Sequence, residues 1–143
     1  MEIVTPVNLY KGCPVHTLWS PSVTVIEVLL SVKVSQQIYH GVRARYVDEH
    51  AWDLPYEESL LWVFDDGHGL RLCQEMYQQG PRIVDDRLQI DIQAVIGTYQ
   101  TMSGNVFLGI KWQNCDYPTW ELEDDVIRCS NFSSYQLNFI STN

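Results

Sequence analysis

Two cycles of alternating apolar and polar positions, each followed by a helical spacing, organise this chain. Val23 to Val34 is dense in β-branched residues and reads as a strand. Val42 to Val47 alternates again, and Leu60 to Phe64 is a third apolar run, ended by Asp65, Asp66 and Gly67. Leu70, Cys73 and Tyr77 then fall at i, i+3 and i+7, the spacing of an apolar helix face. Gln78-Gln79-Gly80-Pro81 breaks the pattern and reads as a linker. The second cycle opens with Leu88 to Ile96, where Leu88, Ile90 and Ile92 alternate with polar residues. Ser103-Gly104-Asn105 is the turn before Val106, Leu108, Ile110 and Trp112, and Thr119 to Leu122 is the third strand. Phe132, Tyr135 and Phe139 repeat the helical spacing, with Ser130 placed as its N-cap.

The expected fold is therefore α+β, with two modules that share one order of three strands and a helix. A small three-stranded sheet becomes stable when a helix covers one face, so each cycle is a reasonable folding unit. The boundaries read as an N-terminal arm over 1–20, a first module over 21–79 and a second over 83–142. The arm holds two prolines and a glycine and shows no clear period. The alternative is one larger α+β domain whose periodicity repeats by chance.

Charge narrows the partners. The chain of 143 residues has a formal net charge of −9 and is 45% hydrophobic, enough for a real core. Residues 1–80 carry five basic and ten acidic groups, and residues 81–143 carry four and eight. Neither half is a basic footprint, which argues against phosphate-driven binding of nucleic acid. An acidic surface favours basic partners or plain solvation. Pro6, Gly12, Pro14 and Pro21 interrupt the first 30 residues, so no signal peptide is expected, and no run reaches the length of a membrane span. Cys13, Cys73, Cys115 and Cys129 form no CxxC pair, so free thiols are expected rather than zinc.

The densest phrase runs from Phe107 to Asp125. A strand ends in Lys111-Trp112, a polar turn follows, Thr119-Trp120-Glu121 opens the next strand, and an acidic stretch leads to the apolar tail. This resembles the chromodomain family, whose core reads as a strand ending in Lys-Trp, a polar turn, Thr-Trp-Glu-Pro-Glu and a C-terminal helix. Trp62-Val63-Phe64-Asp65-Asp66 loosely matches Trp120 to Asp125 in the first half. The resemblance implies two chromodomain-like modules, each a curved three-stranded antiparallel sheet with a C-terminal helix. It also implies a nuclear, non-catalytic protein-interaction region of a heterochromatin or chromatin-remodelling factor in gene silencing.

Family members that read methyl-lysine do so with three aromatics in a cation–π cage. Carried onto the second module, those positions are Ile90, Trp112 and Cys115, of which Trp112 alone is aromatic, with Tyr117 as a substitute through the turn. In the first module they fall near Val23, Tyr46 and Glu49. The cage is degenerate in both. The segment Pro21-Ser22-Val23-Thr24-Val25 resembles the PxVxL-type motif that lies across a chromoshadow-domain dimer. Pro21, Val23 and Val25 would fill alternate pockets, and Leu18 and Trp19 would add contact area. The partner implied is a chromoshadow-domain protein, with a basic histone tail as a weaker one. The competing explanation is that Val23 and Val25 pack in the first module's own core.

Catalysis finds thinner support. Cys13 and His16 lie three apart but no third member or oxyanion hole is marked. Asp65-Asp66 and Asp124-Asp125 are adjacent pairs, and adjacent residues of a strand point to opposite faces. His40 and His50 have no ligand spacing, and Gly67-His68-Gly69 lacks a phosphate-loop context. No enzyme, metal or cofactor is expected. A histone-tail reader and a small enzyme or regulator of an unrelated α+β fold remain as alternatives.

Overall fold

The computed structural model describes residues 1–6, 8–18, 22–47, 58–74 and 82–130. The chain divides into two compact units, Met1–Gln78 and Gln79–Asn143. Among the described residues it is β-rich, with eleven strands, a short α-helix over Glu123–Ser130 and a helical pair at Cys73 and Gln74.

The first unit is built on two long strands. β3 (Ser22–Val34) and β4 (Gln37–Val47) pair antiparallel along their whole length. Val34 opposes Gln37, and Ser35 takes φ 58 in the tight turn between them. β4 pairs with β5 (Glu58–Asp65), and β5 with β6 (Leu70–Leu72). β2 (Pro14–His16) then joins β6 in parallel and β3 antiparallel. The ring β3–β4–β5–β6–β2 closes back on β3. An up-and-down ring with an odd number of strands requires one parallel pair, and β2–β6 is that pair. β1 (Glu2–Val4) adds outside the ring, on the far end of β3 opposite Ser31–Lys33.

One core runs through this ring, and every strand of it contributes. Val15 comes from β2, Val23, Val25 and Val28 from β3, Val42 and Ala44 from β4, Val63 from β5, and Leu70 and Leu72 from β6. A barrel's width grows with strand number, so a five-stranded ring accepts mainly small side chains. Register shifts between Val25 and Glu27 and between Val28 and Leu30 mark bulges in β3, which bend a strand that serves β2 at one end and β1 at the other. Glu27 lies opposite Arg43, and their side chains pair at 3.2 Å.

Three expectations change here. Residues 1–18, read as part of an arm, supply β1, a 3-10 turn (Asn8–Tyr10) and β2. Strands of three residues are too short for a period to register. Leu70 lies instead on strand β6, with Leu70 and Leu72 both buried; Cys73 and Gln74 are helical, with Cys73 buried, and Tyr77 and the linker 78–81 lie outside the described residues. The first unit thus holds a six-stranded sheet in place of the expected three strands, and the chain turns helical at Cys73 and Gln74.

The second unit holds a three-stranded antiparallel sheet, with β10 (Val106–Trp112) between β9 (Ile92–Gln100) and β11 (Thr119–Leu122). A hairpin of β7 (Ile83–Val84) and β8 (Arg87–Leu88) precedes it. Asp85 and Asp86 both have positive φ in its turn, the pattern of a type I′ hairpin. That turn takes Leu88 out of the strand expected from 88 to 96, so β9 starts at Ile92. Gly97, Gly109 and Trp120 face one another across the three strands, so one large side chain spans the row. Trp120 itself is half-buried.

Helix α1 (Glu123–Ser130) follows β11 directly and packs on β8, β10 and β11. Glu123, Asp124 and Asp125 occupy its first turn and Arg128 its last, matching the helix dipole at both ends. Ser130 is therefore a helical residue of this element and not an N-cap. Val126 joins Val95, Leu108, Ile110, Trp112 and Cys115 in the core of this unit. Residues 131–143, including Phe132, Tyr135 and Phe139, lie outside the described residues.

Candidate functional site

The two sequence-derived sites fare differently from their expected roles. Val23 and Val25 are each 1% exposed, inside the ring core. The Val25 backbone is also engaged on both edges. It opposes Ala44 on β4, while its N–H donates to the Cys13 carbonyl at 2.9 Å and its carbonyl accepts from Gly12 N at 2.8 Å. This strand has no free edge to offer a partner at Val25, and its valines have no free side chains to fill pockets. The expected docking role of Val23 and Val25 is corrected on that ground. Leu18 is 81% exposed, and Trp19 and Pro21 lie outside the described residues.

Trp112 is 0% exposed, with Cys115 and Tyr117 also buried. The degenerate cage position is thus a core position. Its indole N–H donates to Thr119 Oγ1 at 2.8 Å, and that hydroxyl donates to Glu121 Oε2 at 3.0 Å. Burial pushes the Glu121 carboxyl above its ordinary range, while the Thr119 hydrogen bond and the Arg82 charge pull the other way. The Arg82 guanidinium lies over the Tyr117 ring, 5.5 Å from its centre. Lys111 donates to the Trp112 carbonyl at 2.8 Å and to Gln93 Oε1 at 3.2 Å. Burial holds its ammonium below the usual lysine range. These groups lock β9, β10 and β11 in register from within.

A half-open cleft in the first unit gathers aromatic and charged side chains. It is a cavity of about 320 Å³ lined by Leu9, Tyr10, Gln36, Gln37, Ile38, His40 and Asp65. Three parts of the fold supply it. The 3-10 turn brings Leu9 and Tyr10, the β3–β4 turn and the start of β4 bring Gln36 to His40, and the end of β5 brings Asp65. Tyr10 Oη donates to Asp65 Oδ2 at 3.0 Å, joining residues 55 apart in sequence. Asp65 Oδ1 accepts from Gly67 N at 2.9 Å.

His40 lies 4.9 Å from the Tyr10 ring, centre to centre, tilted by 53°. Its Nδ1 meets Ser31 Oγ at 2.7 Å, directly across the β3–β4 ladder. Burial lowers the His40 pKa, against a smaller upward pull from Asp65. Burial and then the Asp65 hydrogen bond raise that of the Tyr10 phenol. Ser31 is 0% exposed, so its hydroxyl orients the imidazole and is out of a substrate's reach.

Sequence reading passed over this cleft. Tyr10 stood in a segment without a period, His40 had no ligand spacing, and Asp65 read as a solvated turn. The available signal was Tyr10 itself, an aromatic between Leu9 and Lys11 in the arm.

The other chemical candidates separate. Asp66 takes Arg71 Nε at 2.7 Å and His68 N at 2.8 Å, while Asp65 bonds Tyr10 and Gly67, so the adjacent carboxylates serve different partners. Cys13 Sγ contacts the Leu9 carbonyl at 3.5 Å, and His16 is exposed beside Gly69. Burial pushes the Cys73 thiol well above its usual range, the opposite of an activated nucleophile. Among the described residues no group of His, Cys, Asp or Glu is placed to hold a metal, and no helix is long and apolar enough to cross a membrane.

No family model, no curated protein and no solved structure matches this chain.

Proposed function

We propose that this chain is a non-catalytic protein-interaction region of a chromatin factor, acting in the nucleus to recruit that factor through a second chromatin protein. The observation that carries the reading is the placement of the Lys-Trp and Thr-Trp-Glu phrases. Lys111-Trp112 ends β10, Thr119-Trp120-Glu121 lies on the adjacent β11, the two are tied by the Trp112–Thr119–Glu121 hydrogen bonds, and a helix follows at once. That order is what the chromodomain resemblance implies for the second unit. The first unit enters the proposal as a barrel, not as a second copy of that module.

The buried Ser31 beside His40 and the raised thiol of Cys73 favour binding over catalysis. The buried state of Trp112, Cys115 and Tyr117 favours a scaffold over a methyl-lysine reader. A chromoshadow-domain protein stays a candidate partner, but the burial of Val23 and Val25 moves the contact away from them. Calorimetry of the full chain against a purified chromoshadow dimer, with affinity capture from nuclear extract alongside, tests the reading. Capture of chromatin proteins that bind the purified chain directly supports it. A chain that is excluded from the nucleus and binds no chromatin protein overturns it.

A further inference from the structure

We infer that the cleft between the 3-10 turn and the β3–β4 turn receives a basic side chain, a lysine or arginine, from a segment of a partner protein. The inference rests on the protein-interaction reading and names a site and a ligand chemistry for it.

The cleft combines three features that a basic side chain needs. At its polar end sits Asp65. A carboxylate has about four acceptor positions, and the described structure uses two, for Tyr10 Oη and Gly67 N. The remaining positions leave room for a charge-assisted hydrogen bond, which is stronger than a neutral one. Along its wall lie two rings, Tyr10 and His40, 4.9 Å apart. The Tyr10 face attracts a cation through its quadrupole, and burial keeps His40 toward its neutral form, so it does not repel one. At its mouth stand Leu9, 81% exposed, and Ile38, 37% exposed. Exposed aliphatic side chains beside a charged floor suit the methylene stem of lysine or arginine, which lies along apolar surface while its head seeks the charge.

Charge complementarity selects this occupant over an apolar or acidic one. The chain carries −9 overall, and Asp65 is the one carboxylate among the lining residues. The neighbouring cations have other neighbours. Arg71 pairs with Asp66 at 2.7 Å, and Lys33, opposite Ile38 on β3, stands opposite Glu2 on β1. An apolar side chain would cover Asp65 without satisfying it, and burying an unpaired charge is costly.

The test uses the full chain, ¹⁵N-labelled, and an acetylated and amidated heptapeptide, Ala-Leu-Ala-Lys-Ala-Leu-Ala. Companion peptides carry arginine, norleucine or glutamate at the central position. The lysine or arginine peptide should shift the amides of Leu9, Tyr10, Ile38 and His40. Norleucine should weaken binding by about tenfold or more, the worth of one charge-assisted hydrogen bond. Asp65→Asn should lose the same factor. Because Asp65 also holds Tyr10 and Gly67, a second variant, Leu9→Lys, sets a competing cation at the exposed rim without touching the core. It should weaken the basic peptides and leave amide dispersion unchanged.

Equal binding of the norleucine peptide overturns the inference. So do shifts that map away from the cleft, or no lysine- or arginine-dependent shift up to about 5 mM peptide, a concentration that detects even millimolar affinity. The failures are distinguishable. If chromatin-protein binding persists in Leu9→Lys and Asp65→Asn while the peptide effect is absent, the cleft assignment falls and the chromatin reading stands. If the peptides bind as described but no chromatin protein does, the reverse holds.

Discussion

Trp112 donates its indole N–H to the Thr119 hydroxyl at 2.8 Å, and that hydroxyl in turn donates a hydrogen bond to Glu121 Oε2 at 3.0 Å. Among the described residues Trp112 is the largest fully buried side chain, and it depends on a neighbouring strand for a partner to its one polar atom. Thr119→Val should leave that N–H unsatisfied at nearly unchanged shape and cost about 1–3 kcal/mol. Thr119→Ser should restore most of it. Urea unfolding followed by tryptophan fluorescence checks both. A loss below about 0.5 kcal/mol for the valine variant would mean water replaces the bond.

Val23 and Val25 separate a core role from a docking role. Val23→Asp or Val25→Asp places a charge at a position 1% exposed and should unfold the first unit, since the charge has no partner there. Leu18→Asp, at a position 81% exposed, should stay within about 0.5 kcal/mol of wild type. Circular dichroism melts distinguish the two results. A folded Val25→Asp protein would contradict the ring core.

His40 makes the first unit sensitive to acid. Its folded pKa is lowered from 6.5, chiefly by burial, so the unfolded chain binds the proton more readily. The stability this contributes is present above pH 6.5 and is lost as the pH falls through the lower, folded value. Denaturation midpoints measured from pH 8 downward should fall below about 6.5, and His40→Gln should flatten that part of the profile. A wild-type midpoint that rises on acidification through this window would refute the burial argument.

Methyl-lysine recognition should be absent from the second unit. Trp112 and Tyr117 are 0% and 2% exposed, so neither presents a π face to a ligand. A desolvated cation–π contact is worth about 2 kcal/mol, close to thirtyfold in affinity. Calorimetry with trimethylated and unmethylated histone peptides should show no such gap, whatever weak attraction the acidic surface has for both. A tenfold or larger preference for the methylated peptide would overturn this.

The sequence by itself determined the long strands. The β-branched run Val23–Val34, the alternation over Val106–Trp112 and the Thr-Trp-Glu phrase at Thr119–Leu122 place β3, β10 and β11 close to their observed limits. Their residue types mark them as strands, whereas their burial does not alternate: five successive residues of β10 are buried. The turn at Ser103-Gly104-Asn105 was equally readable, because Gly104 takes φ 93 there, a conformation glycine adopts without strain. The acidic charge was legible too, since it is a sum and needs no fold.

Only the tertiary structure decided how the first unit closes and what its cleft contains. β1, β2 and β6 have three residues each, fewer than two full periods of alternation, so no window could reveal them. Closure also changed what the strand at Val25 could do, because β2 and the Gly12–Cys13 strap occupied its second edge. The cleft depends on Tyr10 meeting Asp65 across 55 residues and on Ser31 standing opposite His40 in one register. The first joins distant segments, whereas the second follows without a shift from the Val34–Gln37 turn. The Tyr10–Asp65 contact depends on strand pairing that would slide to a different partner if it shifted by one residue, and that pairing is set by the packed ring as a whole.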